Sequence, residues 1–314
     1  MRRVIYLGAE EGFEATRDTL AGAADVLHVK AEPQDVADAL READGVLDAS
    51  MKVKLTPEML AAAPKLKIIS CATTGSDHIS RDGLTVRGID VRTLKEDPGV
   101  LRNITPAAEL SWTLLMAGAR KLPAALKHVT QGGWTREEFP GVMLRGKTLG
   151  LVGCGRIGGW MARYARAFDM DVIGHDPFVT AFPDTIRKAA LEEVMSQADF
   201  ISIHVHLSPE TTGMVTKALI DSMKPGAFLI NTSRGAIVDE AALLAALESG
   251  RLGGAGLDVL DGEPDTANHP LVRYAQSHDN LLITPHVGGF SPDAVRLVCA
   301  HAAGKIRAAF EGGK

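Results

Sequence analysis

Three ionisable side chains of different kinds each stand a few residues beyond an apolar, strand-like run: Arg234 after AFLINTS, Glu263 after GAGLDVLDG and His286 after NLLITP. In open α/β sheets ligands collect outside the carboxyl ends of the strands, so polar residues just past those ends are where chemistry is to be sought. An arginine, a carboxylate and a histidine gathered there suit hydride transfer to a ketone. Negative charge builds on the carbonyl oxygen, and a histidine, which titrates near neutrality, can supply the proton. Glu263 would hydrogen-bond the imidazole, orient it and favour its charged form. The planar, permanently charged fork of Arg234 would hold a substrate carboxylate and polarise the carbonyl. Local sequence leaves plainer readings open. Arg234 in NTSRGAIVDE has Asp239 and Glu240 as ion-pair partners nearby, Glu263 precedes a proline in an acidic loop, and His286 is one of ten histidines.

A hydride needs a donor, and LGLVGCGRIGGWMARYARAF offers a site for one. Gly153, Gly155 and Gly158 follow an apolar run and open a segment with helical patterning. That is the context a dinucleotide fingerprint requires: the first glycine permits a tight turn, the second lets backbone approach a pyrophosphate, and the third allows close helix packing. The helix N-terminus adds free N–H groups and the positive end of its dipole. The next strand-like run, DVIGHD, ends in Asp176, where a carboxylate can accept from the adenosine ribose hydroxyls. A 2′-phosphate would be repelled there and no arginine directly follows, which points to NAD over NADP.

The elements that must position these groups are legible as rhythm. VIYL, GVLDAS, LKIIS and IDVRT alternate with the helix-like VADALREA and TPEMLAAA, and after residue 148 a second series runs TLGLVG, DVIGHD, FISIHV, AFLIN, GAGLDV and LLIT. Alternation of this kind predicts βα units and parallel sheets, and two series predict two domains packed about a shared cleft. AAELSWTLLMAGARKLPAAL has helical spacing and predicts one long helix leading from one domain into the other; SPDAVRLVCAHAAGKIRAAF predicts a final helix. The chain has 314 residues, 46% hydrophobic, with a formal charge of -5. A pI near 6.1 without a basic stripe argues against nucleic acid. Cys71, Cys154 and Cys299 are scattered and odd in number, which suits neither disulfides nor a zinc site and indicates a reducing, cytoplasmic setting without a metal. No apolar stretch is long enough for a membrane span.

GKTLGLVGCGRIGG, LINTSRGAIVDEAALLAALESGRLGGAGLDVLDGEP and LLITPHVGG closely resemble the D-isomer-specific 2-hydroxyacid dehydrogenase family. NITPAAELSWTLLMAGAR, GGW and HVHLSPETTGMV extend the likeness from about residue 66 to 290. The resemblance implies two doubly wound parallel-sheet α/β domains: a Rossmann-type NAD domain, 99–287, inserted into a flavodoxin-like substrate domain, 1–98 plus 288–314, to which the final helix returns. It implies that Arg234 binds substrate, Glu263 partners the histidine and His286 is the general acid/base. Gly153, Gly155, Arg156, Ile157, Gly158, Asp176, Thr232 and Asp258 would contact NAD, Asp258 at the nicotinamide carboxamide. CATTGSDHIS resembles the substrate loop, with Thr74 and Gly75 as carboxylate contacts and Thr73 where glycine is frequent. His204 and His206 read as scaffold or cofactor-pocket residues.

The implied reaction is NADH-dependent reduction of a small 2-oxo acid to a D-2-hydroxy acid, with glyoxylate or hydroxypyruvate favoured. Met51 and Lys52 are positioned to line the side-chain pocket, though a surface-facing lysine fits as well. Glu263 argues against the formate dehydrogenase branch, which has glutamine there. The absence of lysine from 72–79 argues against a phosphite-oxidising relative, and the absence of an extension after 314 is expected to exclude a long-form phosphoglycerate dehydrogenase. A homodimer is expected through the cofactor domains, with Trp112 and Trp134 as interface residues, or Trp112 as core. The alternative is an NAD(H)-sensing binding protein of the corepressor type.

Overall fold

The computed structural model describes residues 1–80 and 84–312. The chain divides into two compact units, Met1–Ile104 with Gly289–Lys314, and Thr105–Gly288. The division differs from the expected 98/99 and 287/288. Asp97 O accepts from Val100 N and Leu101 N, and Asp97 N donates to Leu94 O, so the helix Pro98–Leu101 folds onto the turn before it and residues 99–104 stay with the first unit. Gly288 stays with the second because its N–H donates to Asp258.

The first unit is built on β1 (Arg2–Leu7), β2 (Ala24–His28), β3 (Gly45–Asp48), β4 (Ile68–Cys71) and β5 (Asp90–Arg92), all parallel, in the order β2-β1-β3-β4-β5. This is a doubly wound order, with apolar strands covered on both faces. Val36, Leu40 and Leu60, from the helices Pro33–Leu40 and Pro57–Ala61, pack with Ile5, Val46 and Ile69 in one core layer. The last helix, Pro292–Glu311, supplies Cys299, Ala302, Ala303, Ile306 and Phe310 to another layer with Val4, Tyr6 and Ile68. Ser291 caps it by accepting from Ala294 N, and Gly312, in the left-handed conformation, ends it.

The second unit is built on β6 (Thr148–Val152), β7 (Asp171–His175), β8 (Arg187–Lys188), β9 (Phe200–Ile203), β10 (Phe228–Asn231), β11 (Gly254–Leu257) and β12 (Leu281–Ile283). The order β12-β11-β10-β9-β6-β7-β8 is parallel throughout and reverses direction beside β6, so the loop after β6 lies at the topological switch point. The long helix expected over 107–126 is instead two, Pro106–Ala119 and Leu122–Thr130, both inside the second unit. Lys121 is left-handed at φ 49 and Pro123 follows in the first turn of the second helix, where its missing N–H is no loss.

Candidate active site

The loop after β6 has the form a dinucleotide needs. Gly153 sits at φ 95 with His204 O 2.5 Å from where a Cβ would stand, and a Cβ at Gly158 would overlap Gly153 O. Side chains are therefore excluded at both, and the turn can close on the helix Arg156–Ala167. Gly155 has no neighbour within 4 Å of its Cβ position, leaving the backbone open at the helix N-terminus. Arg156 and Ile157 form the first turn there, half-buried. Asp176, just past β7, is fastened rather than loose: Cys154 N donates to its Oδ2 at 2.9 Å, and Phe178 N and Val179 N to its Oδ1. These residues fit a dinucleotide, with the N-terminal N–H groups for phosphates and the Asp176 carboxylate for ribose hydroxyls.

Beneath the loop, His204 Nε2 meets Ser202 Oγ at 2.8 Å while its Nδ1 is buried without a partner. Burial pushes the imidazole down to about 3, so the ring is neutral packing under the glycine loop. His206 is exposed.

Arg234 is presented by a turn built on buried Asn231, whose Nδ2 donates to Arg234 O at 2.9 Å and whose Oδ1 accepts from Ser233 N at 3.0 Å. Ser233 Oγ donates to Ile203 O, and the Arg234 guanidinium donates to Ser233 O at 2.8 Å. Nearby, Asp239 caps the next helix through Ala242 N, and Glu240 pairs with His269. Thr232 meets Ser111 at 2.7 Å between their hydroxyls, joining this turn to the helix Pro106–Ala119.

His286 and Glu263, brought together from two strand ends, meet at 2.5 Å between Nδ1 and Oε1. Asp258 organises the histidine's side of this contact. It is 1% exposed and accepts from Thr284 Oγ1 (2.5 Å), Val287 N (2.9 Å) and Gly288 N (2.7 Å), while its carbonyl accepts from His286 N. These bonds hold His286 at φ 54, a left-handed conformation unusual for a side-chain-bearing residue. With Nδ1 on Glu263, Nε2 has no partner among the described residues and is the nitrogen left to exchange a proton. The pair is partly open, with the His286 side chain 39% exposed and Glu263 29%.

In the first unit, Thr73 Oγ1 donates to Gly75 O at 2.9 Å, bridging the loop internally, and the N–H groups of Thr74 and Gly75 meet no acceptor among the described residues. The loop's far end is tied down at His78, whose Nε2 lies 2.8 Å from the fully buried Asp48 carboxylate. The other Asp48 oxygen accepts from Ser50 N, Ser50 Oγ and Met51 N, which fixes Met51 at φ 54. Lys52 is exposed.

Residues 112–288 match the family model described as "D-isomer specific 2-hydroxyacid dehydrogenase, NAD binding domain". The chain belongs to this family. It is 38% identical over 277 residues to D-3-phosphoglycerate dehydrogenase of Mycobacterium tuberculosis, covering 87% of this chain and 50% of that protein. The chain thus spans about half the length of the curated relatives it matches. Among solved structures, a protein of Thermus thermophilus is 34% identical with a TM-score of 0.87, covering 99% of this chain and 98% of that one. D-Lactate dehydrogenase of Aquifex aeolicus, complexed with NAD and lactic acid, is 27% identical with a TM-score of 0.82, covering 98% and 96%.

The second unit contains the whole of the stretch that matches the family's NAD-binding domain. Of the residues singled out from sequence, it holds Arg234, Glu263, His286, the three glycines, Arg156, Ile157, Asp176, Thr232 and Asp258, whereas Thr74 and Gly75 lie in the first. Asp258, expected at the carboxamide, carries the His286 turn. Asn231, Asp48 and His78 were not anticipated. A signal for two of them was present, since Asp48 closes GVLD and Asn231 closes FLIN, each a polar residue ending an otherwise apolar strand. Among the described residues no helix is long and apolar enough to cross a membrane, and no group of three or more metal-ligating side chains comes together.

Proposed function

We propose that the chain is an NAD-dependent D-2-hydroxyacid dehydrogenase that interconverts a 2-oxo acid and its D-2-hydroxy acid. The carrying observation is the 2.5 Å contact of His286 Nδ1 with Glu263 Oε1, in the same unit as the glycine loop and Arg234. When bound, the nicotinamide supplies or accepts the hydride at the substrate's C2. His286 Nε2 gives a proton to the carbonyl oxygen in reduction and takes it from the hydroxyl in oxidation. Glu263 fixes the ring through Nδ1 and so aims Nε2. Arg234 offers its guanidinium to the carboxylate and carbonyl oxygen. Gly153, Gly155, Gly158, Arg156, Ile157 and Asp176 hold the pyrophosphate and ribose, and Thr232 and Asp258 the nicotinamide end. Asp176 favours NAD over NADP. The N–H groups of Thr74 and Gly75 serve the substrate carboxylate.

The side chain we favour is small and unphosphorylated, as in glyoxylate or hydroxypyruvate. Residues 71–79 contain no lysine or arginine, and the one cation of 49–52 is the exposed Lys52, whereas a phosphate ester calls for charge-assisted donors. A second reading, oxidation of D-3-phosphoglycerate, is favoured by the name shared by the curated relatives. The two part in one experiment: NADH consumption with glyoxylate, hydroxypyruvate, pyruvate and 3-phosphohydroxypyruvate, repeated with NADPH. Preference for the phosphorylated acid would overturn the substrate reading. Turnover of none, with NADH bound, would turn the assignment toward an NAD(H)-sensing protein.

We further propose a cytoplasmic homodimer. Its three cysteines are buried and free, as a reducing compartment allows, and Trp134, 88% exposed, follows the helix Leu122–Thr130, which carries exposed Leu122, Leu126 and Val129. Trp112 instead packs against Tyr164 and Phe168.

A further inference from the structure

We infer that Glu240 is a positioning residue for the acid–base pair, acting through the backbone of the loop that carries Glu263. This rests on the proposed roles of Glu263 and His286. Glu240 lies in the first turn of the helix Glu240–Glu248. Its Oε1 accepts from Asp261 N at 3.0 Å, and its Oε2 lies 3.0 Å from His269 Nε2, with both side chains only 14% exposed. His269 Nδ1 accepts from Leu271 N as the cap of the helix Pro270–Ala275, so Nε2 carries the proton and donates to Glu240. One carboxylate therefore joins three segments: a helix start, a second helix start and the turn 260–264.

That turn is pressed against Arg234's neighbour. A Cβ at Gly235 would overlap Asp261 N and Leu260 C, so only glycine lets the two backbones approach. Within the turn, Leu260 N donates to Glu263 Oε2 at 3.3 Å. A loss of the Asp261 tether frees the segment that sets both where Glu263 stands against His286 and where Gly235 holds the base of Arg234. Burial, with the Asp261 carboxylate adding, pushes the Glu240 carboxyl up; the Asp261 amide and His269 oppose this. Glu240 is thus a costly group to bury, held by specific donors.

Two variants separate positioning from bulk stability. Glu240→Ala removes both acceptors. Glu240→Gln keeps an oxygen for Asp261 N but cannot also accept from His269. Both are expected to melt at lower temperature. Only Glu240→Ala should lose kcat, by about 10-fold or more, with KM and the NADH dissociation constant within about 3-fold of the unmodified protein, and Glu240→Gln should recover most of kcat. A proton NMR readout of the His286 imidazole N–H, shifted by its bond to Glu263, needs no turnover: it should move in the alanine variant and stay in the glutamine variant. Equal kcat and an unmoved resonance in Glu240→Ala would overturn the inference. A protein that reduces no 2-oxo acid would overturn the acid–base reading instead, leaving the resonance to decide the role of Glu240.

Discussion

The loop at 73–78 in the first unit and the turns that carry Arg234 and His286 in the second are held in different ways. In the second, buried polar side chains close the turns through backbone: Asp258 takes two main-chain N–H groups and a hydroxyl under His286, and Asn231 bonds both sides of the turn to Arg234. In the first, the loop at 73–78 is tied at one end by the Asp48–His78 pair and bridged once by Thr73, while the Thr74 and Gly75 amides have no acceptor among the described residues. On the proposed reading, proton transfer at C2 calls for preset geometry, whereas the amides given to the carboxylate lie in the less constrained loop.

The largest effect should come from the preset side. His286→Ala is expected to lower kcat by about 10²–10⁴-fold, the range for a proton-transfer group, while NADH binding measured by fluorescence is unchanged. Full turnover in that variant would remove the acid–base assignment. Asp258→Ala tests whether the turn itself is preset. It orphans Thr284 Oγ1, Val287 N and Gly288 N at about 1–3 kcal/mol for each donor left buried, so chemical denaturation should show a loss of about 3 kcal/mol. His286 would also lose the hold that keeps it at positive φ. An unfolding midpoint like that of the unmodified protein would break the contrast between the units.

The same contrast governs what could be read before the structure. β1, β3, β4 and most strands of the second sheet are apolar runs and stand out; β2 has a single buried residue, Ala24, and β8 is two exposed residues, so edge position erased the signal. The helix break at Lys121 was hidden because apolar spacing continues across it. Arg234, Glu263 and His286 were legible because their types suit one reaction. The supports were not: Asp258 was assigned to the cofactor alone, and Asp48, Asn231 and His78 exert their effect through hydrogen bonds to backbone or across some thirty residues, a relation that sequence spacing does not display.

On the less constrained side the effects shrink. Asp48→Asn weakens the tie to His78 and to the 50–51 turn, and the expected result is a rise of about 10-fold in KM for the 2-oxo acid with kcat nearly unchanged. Hydrogen exchange at Thr74 and Gly75 should already be faster than at Val287 and Gly288 in the unmodified protein. If the Thr74 and Gly75 amides were as protected as those of the His286 turn, the difference between the two halves would vanish.

The smallest effect is a matter of pH, at the segment leading out of the first unit. Asp97 lies near His301 Nε2 at 3.0 Å and bonds Lys305, which also donates to Thr93 O at 2.6 Å. Burial acts to raise the Asp97 carboxyl, but Lys305 and His301 outweigh it and hold it below its ordinary value. A carboxyl depressed in the folded state binds its proton more weakly there than in the unfolded chain. Its stabilisation is therefore complete above the unfolded value of about 3.9 and is lost as pH falls through the lower folded one. Asp97→Asn should cost less than about 1 kcal/mol at neutral pH, and thermal melts of the two proteins should converge on acidification through that window. The turns of the second unit give a useful contrast, since Asn231 cannot titrate: Asn231→Ala should leave a stability deficit that persists into acid. A deficit from Asp97→Asn that persisted equally would show that shape and hydrogen bonding, not charge, hold this segment.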